Sequence, residues 1–294
     1  MNTATNQANL QSETNSIELS KVTHGNPMKI REGFNALGFR HSSFDGLMDP
    51  LIMVDHYTMT RPTFGAHPHA GLSAVSLLFE DSIGKFHNRD SLGNDFDLLP
   101  GDLYWLNSGR GVVHDEAPRD GAEIHGLQVF VNLPKSLKHS DSTSNLVRAT
   151  QMPLLTAPDY RVRIAIGESN GVKGATISPN NLTILDGKLF AAGRFEHQPQ
   201  FNEQSWIYAV AGSIDIAIGG RILTLESGQA VALKSSGHAI EVINAVQDEA
   251  HFVLFSGVAI GESFFQRGPF VMSSEEELDR VQRDYENGLL GTLK

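Results

Sequence analysis

Cysteine is absent from all 294 residues, which excludes disulfides, thiolate metal sites and cysteine nucleophiles. Basic charge is scarce: 23 Lys and Arg stand against 34 Asp and Glu, a net charge of −11. That balance argues against direct binding of nucleic acid or anionic lipid, because both need a basic surface. No run approaches the roughly 18 consecutive apolar residues of a membrane span. The opening "MNTATNQANLQSETNS" carries one charge, Glu13, and no apolar core, so it lacks the parts of a secretory signal. Residues 1–20 read as a disordered tail, with too little apolar surface to offset the entropy of ordering. The expected setting is the cytoplasm.

Helical periodicity is also in short supply. What the chain has instead, with 28 Gly and 12 Pro, is a series of short β-type runs broken by turn residues. Residues 73–79, 102–107, 127–133, 213–218, 230–235 and 251–256 are examples, and many alternate apolar with polar as half-buried antiparallel strands do. Such spacing indicates a barrel or sandwich rather than βαβ units. One helix is expected, over 273–288, with Ser273 or Ser274 as cap, Glu275–Glu277 in the first turn and Gly288 after the end.

The two halves match in outline. "LLFEDSIGKF" (77–86) aligns with "YAVAGSIDIA" (208–217) at an offset of 131, and residues 100–116 align with 227–243 at 127. The fold class expected is therefore all-β, two tandem β-barrels with a short C-terminal helix, and the boundaries expected are 21–148 and 149–294.

Two histidine-bearing pairs point to chemistry. His67 and His69 flank Pro68, and side chains two apart on a strand share a face. His114 and Glu116 repeat that spacing at the end of another β-type run. Brought together, three imidazoles and one carboxylate suit Fe(II), Mn(II), Co(II), Ni(II), Cu(II) or Zn(II), with open positions left for an exogenous ligand. At the offsets above, Gln198, Gln200, Glu241 and Ile243 fall opposite His67, His69, His114 and Glu116, so the second half lacks the set. Phe64, Leu72, Leu106 and Val113 are candidates for pocket lining, though equally for ordinary core. His56, His87, His125 and His238 are candidates to orient a ligand imidazole, and Asp115 should point away from its neighbours.

The stretches "HPHAG" (67–71), "PGDLYWLNSGRGVVHDE" (100–116), "HGLQVFVNLP" (125–134) and "GESFFQRGPFVM" (261–272) together resemble the pirin family, a branch of the cupin superfamily. The resemblance implies two cupin barrels, with His67, His69, His114 and Glu116 as metal ligands of the first and iron as the usual metal. It implies a second barrel without a metal site and a C-terminal segment packed back on the first. The activity it implies is oxidation of a small aromatic flavonol such as quercetin by O₂, with Glu116 as ligand or general base. The rival is an iron-bearing, redox-sensitive regulatory protein acting through a protein partner, and a barrel that keeps its ligands for stability alone is a third reading. Ala70 and Ser73 depart from the family pattern, which often has Arg and Glu near those places.

Overall fold

A computed structural model describes residues 16–293 apart from 177, 179 and 180. Antiparallel strands dominate, and they sort into two compact units with the same internal plan.

In the first barrel, one sheet runs in the spatial order Thr143–Val147, Leu103–Asn107, Leu72–Leu78, Ile124–Asn132, Leu51–Met59, Phe34–Arg40, Asn26–Arg31. The smaller sheet runs His67–His69, Val112–Pro118, Phe86–Asp90, Asp95–Leu98. The second barrel repeats this order strand for strand: Glu18–Leu19, Gln229–Lys234, Glu203–Ala211, Ala250–Val258, Thr183–Leu189, Tyr160–Ile166, Leu154–Ala157. Its smaller sheet runs Arg194–His197, Ile240–Asn244, Ile214–Ile218, Arg221–Leu225. The all-β, two-barrel expectation holds.

The internal alignment holds in the large sheets. Leu77 pairs with Leu103 and Tyr208 with Ala230, which are the offsets of 131 and 127. It slips at the candidate site. Two residues separate the strands ending at His69 and starting at Leu72, but five separate His197 from Glu203; likewise four lie between Asn107 and Val112, and five between Lys234 and Ile240. The positions matching His67, His69, His114 and Glu116 are therefore Phe195, His197, Val242 and Asn244, not Gln198, Gln200, Glu241 and Ile243. Pairing agrees: His114 lies opposite His67 as Val242 lies opposite Phe195. Phe195 and Val242 belong to the apolar core of the second barrel, so that core has replaced the ligand set.

Each barrel also borrows chain from the far end of the sequence. The described residues through Gly25, with His41–Asp49 and Met152–Ala259, form one unit; Asn26–Arg40, Pro50–Gln151 and Ile260–Lys294 form the other. Residues 16–20 are thus not a tail: Glu18 and Leu19 pair with Lys234 and Leu233, and Ile17 and Leu19 pack on the core. Apolar contact and the sheet edge hold these residues in place. The rest of the expected tail, 1–15, lies outside the described residues. At the other end, the described residues 260–293 join the first barrel rather than the second. There the expected helix, α1, spans Glu275–Glu286, capped by Ser274, whose hydroxyl accepts from the Glu277 N–H. Leu278 and Val281 on one face of α1 pack with Ala70, Val113 and Phe270.

Candidate metal centre

The His67–His69 strand is the edge of the four-stranded sheet, the one place where Pro68 removes no needed ladder hydrogen bond. Its neighbour places His114 directly opposite His67 and Val112 opposite His69. Alternation then turns all three imidazoles to the barrel interior, and their candidate ligand nitrogens lie within 4.8 Å of one another. His114 Nε2 is 2.9 Å from His67 Nε2 and 3.0 Å from His69 Nε2. Among the described residues this is the one cluster of three or more such side chains able to hold a metal ion.

The donor set fits a cation. Gly65 carbonyl accepts from His67 Nδ1 at 2.8 Å, which leaves the Nε2 lone pair facing the centre. Burial lowers the pKa of all three rings; His69 falls to about 3, through burial first and the His67 charge second, against a smaller pull from the Pro269 carbonyl. Neutral imidazoles are the ligating form. Two nitrogens each about 2.1 Å from one ion at a right angle stand about 3.0 Å apart, close to the contacts seen here. His67, His69 and His114 can therefore hold a metal.

Glu116 follows His114 by two and lines the same cavity, but it is not one of the three side chains of that cluster. Instead Ser76 Oγ donates to its Oε1 at 2.6 Å, and Ser76 also lies 3.1 Å from Gln128 Oε1. Burial pushes the Glu116 carboxyl up to about 7, with the Ser76 hydrogen bond opposing and the Asp115 charge adding to it.

His67, His69 and Glu116 line a cavity of about 300 Å³ whose remaining wall is chiefly apolar, with Phe34, Met53 and Phe130 among its residues. Phe130 meets His69 edge-on, ring centroids 5.0 Å apart. Phe64 lines this cavity as expected and is half exposed. The other three pocket candidates do not. Leu72 and Leu106 are fully buried in the barrel core, and Val113, one residue off the phase of His114 and Glu116, faces the cluster around α1. None of His56, His87, His125 and His238 lines the cavity. His87 pairs with Asp95, and His56 with His125. Asp115 is absent from the cavity lining and pairs with Arg89 at 2.9 Å.

Several lining residues escaped the sequence reading. Met53, Asp55, Tyr57 and Met59 come from one strand at every second position, a phase visible in "LIMVDHYTM" once the interior face is known. Asp55 binds Arg40 at 2.6 Å, putting an ion pair in the cavity wall. The Tyr57 hydroxyl is buried with no hydrogen-bond partner. Gly268 and Pro269 close the wall from the C-terminal segment. That segment is fixed by a Val271 N–H to Ala70 carbonyl bond of 3.0 Å and by Lys138. The buried Lys138 amine donates to the carbonyls of Gly71 (2.8 Å) and Val271 (3.0 Å) and to Asn132 Oδ1 (2.7 Å). Ala70 is wholly buried in this junction, where its small side chain packs against the C-terminal cluster.

The family model Pirin matches residues 34–131, and the model for the pirin C-terminal cupin domain matches 184–291. Human Pirin is 30% identical over 245 residues, 83% of each chain. The chain belongs to the pirin family. A pirin-like protein of Solanum lycopersicum is 29% identical over 83% of this chain and 82% of its own. Among solved structures, a quercetin 2,3-dioxygenase from Acinetobacter baumannii superposes with a TM-score of 0.83 at 22% identity, covering 94% of this chain and 99% of that one. The bacterial pirin YhhW of Escherichia coli, solved in complex with nickel(II), gives 0.62 at 16% identity over 83% and 100%. At these identities the two structures establish the bicupin fold. No helix among the described residues is long and apolar enough to cross a membrane.

Proposed function

We propose that this pirin is a metal-dependent dioxygenase that opens a flavonol-like aromatic substrate with O₂, with Fe(II) held by His67, His69 and His114. The observation that carries the reading is the position of the imidazole cluster in the wall of an apolar cavity of about 300 Å³, at the lower end of the size range of small-molecule sites. The likeness in fold to the Acinetobacter quercetin 2,3-dioxygenase supports it. Metals other than iron meet the same ligand set, and nickel in YhhW is an example from a relative.

A bound divalent metal would supply a Lewis-acid seat for the substrate's enolate oxygen and for O₂. The chain's own residues do the rest. Phe34, Phe130 and Phe64 take the flat aromatic body and exclude water from it. Glu116, anchored by Ser76 and facing the same space, accepts the proton of the 3-hydroxyl. Ligation by Glu116 is the alternative role. The partnerless Tyr57 hydroxyl donates to a substrate oxygen.

The test is O₂ uptake with carbon monoxide release by untagged, iron-loaded protein given quercetin. One CO released per O₂ consumed is expected, with loss of turnover and of metal in His114→Ala. Glu116→Ala should lose turnover, and its metal content separates the base role, in which metal is kept, from the ligand role, in which it falls. Iron bound at one per chain without any turnover would refute the enzymatic reading and favour the redox-sensitive binding protein.

A further inference from the structure

The contact that marks the metal centre, two imidazole Nε2 atoms facing each other at hydrogen-bond distance, recurs elsewhere among the described residues. His56 Nε2 and His125 Nε2 lie 2.7 Å apart. They sit on the opposite face of the large sheet from the cavity, since His56 falls between the inward-facing Asp55 and Tyr57. From this geometry we infer a second metal site in the first barrel, a two-histidine chelate for a borderline divalent cation of the zinc–copper–nickel class.

Three observations support it. First, the tautomer is fixed by a carboxylate: His125 Nδ1 lies 2.8 and 2.9 Å from the two Asp81 oxygens and donates to them, so its Nε2 lone pair faces His56. His56 carries the single Nε2 proton of the contact and yields it to solvent exchange when an ion binds. A carboxylate behind a histidine is the arrangement that orients and strengthens a metal-binding imidazole. Second, the rings are held in place before any ion arrives. Ser82 Oγ donates to the His125 carbonyl at 2.7 Å and accepts from its N–H at 2.9 Å. The buried Phe79 ring meets His56 and His125 edge-on at 5.7 and 4.9 Å. Third, the pair opens into a groove of about 430 Å³ that also holds Asn35 and Thr58, leaving room for water at the remaining coordination positions. Lys29 lines the same groove and opposes a cation there; the Asp81 carboxylate offsets it. A small outward rotation of either ring brings the nitrogens from 2.7 Å to the roughly 3.0–3.4 Å of two ligands on one ion.

The test counts metal on untagged, metal-stripped full chain dialysed against Zn(II). The wild type should take up two equivalents. His56→Ala and His125→Ala should each keep one, His114→Ala should keep the other, and His114→Ala/His125→Ala should keep none. Asp81→Asn should weaken the second equivalent by about 10-fold or more while leaving the first unchanged. Circular dichroism melting confirms that each variant folds, and His125→Asn serves where His125→Ala does not. One equivalent in the wild type that disappears with His114→Ala overturns this site and leaves the first standing. A second equivalent that survives in both His56→Ala and His125→Ala overturns it as well.

Discussion

Gly71, the last residue of "HPHAG", offers a sharp test of how the first barrel is closed. Its φ is +73°, and a Cβ built there would meet the Val271 carbonyl oxygen at 1.9 Å and Met272 Sδ at 2.6 Å. Gly93 is the control, with φ +95° and nothing within 4 Å of its would-be Cβ. Replacing Gly93 by Ala costs only backbone strain, about 1–2 kcal/mol. Replacing Gly71 adds a displacement of the Val271 carbonyl by more than 1 Å. That shift disrupts the Ala70–Val271 backbone bond and the Lys138 bridge between Gly71 and Val271. One neutral hydrogen bond at about 1 kcal/mol and a charged one at about 1.5–3 kcal/mol bring the total to about 4–6 kcal/mol.

Thermal unfolding and limited proteolysis read this together. Gly93→Ala should melt within a few degrees of wild type, as about 1–2 kcal/mol implies. Gly71→Ala should melt far lower, or should release residues 260–294 to protease while the barrels stay folded. Equal melting and equal C-terminal protection in the two variants would refute the claim that close approach at Gly71 holds the segment down.

Tyr57→Phe removes a hydroxyl that is buried without a partner, so the metal-free protein should be no less stable, while flavonol affinity measured without O₂ should fall about 5- to 10-fold, one hydrogen bond's worth. Asp186→Asn in the second barrel removes the buried carboxylate that pairs with both Arg163 and His251 and should cost about 3–5 kcal/mol in urea denaturation. In metal-free protein, burial depresses His197 from 6.5 to about 4, so the folded chain binds fewer protons than the unfolded chain in that window. Stability is therefore lost as pH falls from about 6.5 to about 4, by about 3 kcal/mol from this residue. His197→Gln should flatten the acid limb of the urea midpoint against pH, and an unchanged limb would refute the assignment.

Much of the architecture was legible because strand alternation and turn residues are local signals. The Ser274 cap and the offsets of 131 and 127 could be read directly, since cap chemistry and large-sheet register leave marks in short stretches of sequence. The register of the smaller sheet could not. One residue more between Lys234 and Ile240 and three more between His197 and Glu203 reverse which side chains face inward, and turn length has no fixed composition. The imidazole cluster was legible because His67, His69 and His114 share a phase. Val113 could have been excluded on that phase, but Leu72 and Leu106 could not, because a strand buried on both faces hides which face it lines. Glu116 shows a further limit: spacing sets its face, whereas Ser76 sets where the carboxylate rests.

The exchange of chain ends has a consequence for biosynthesis. Gly268 and Pro269 form part of the wall of a cavity whose histidines lie some 200 residues earlier, and the second barrel takes its edge strand from Glu18–Leu19. The first barrel's strands leave the ribosome well before its last wall does, so at about 5–20 residues per second they wait on the order of ten seconds or more with the histidine cluster uncovered. A metal could thus reach His67, His69 and His114 in a nascent chain before Gly268 and Pro269 have emerged to complete the wall.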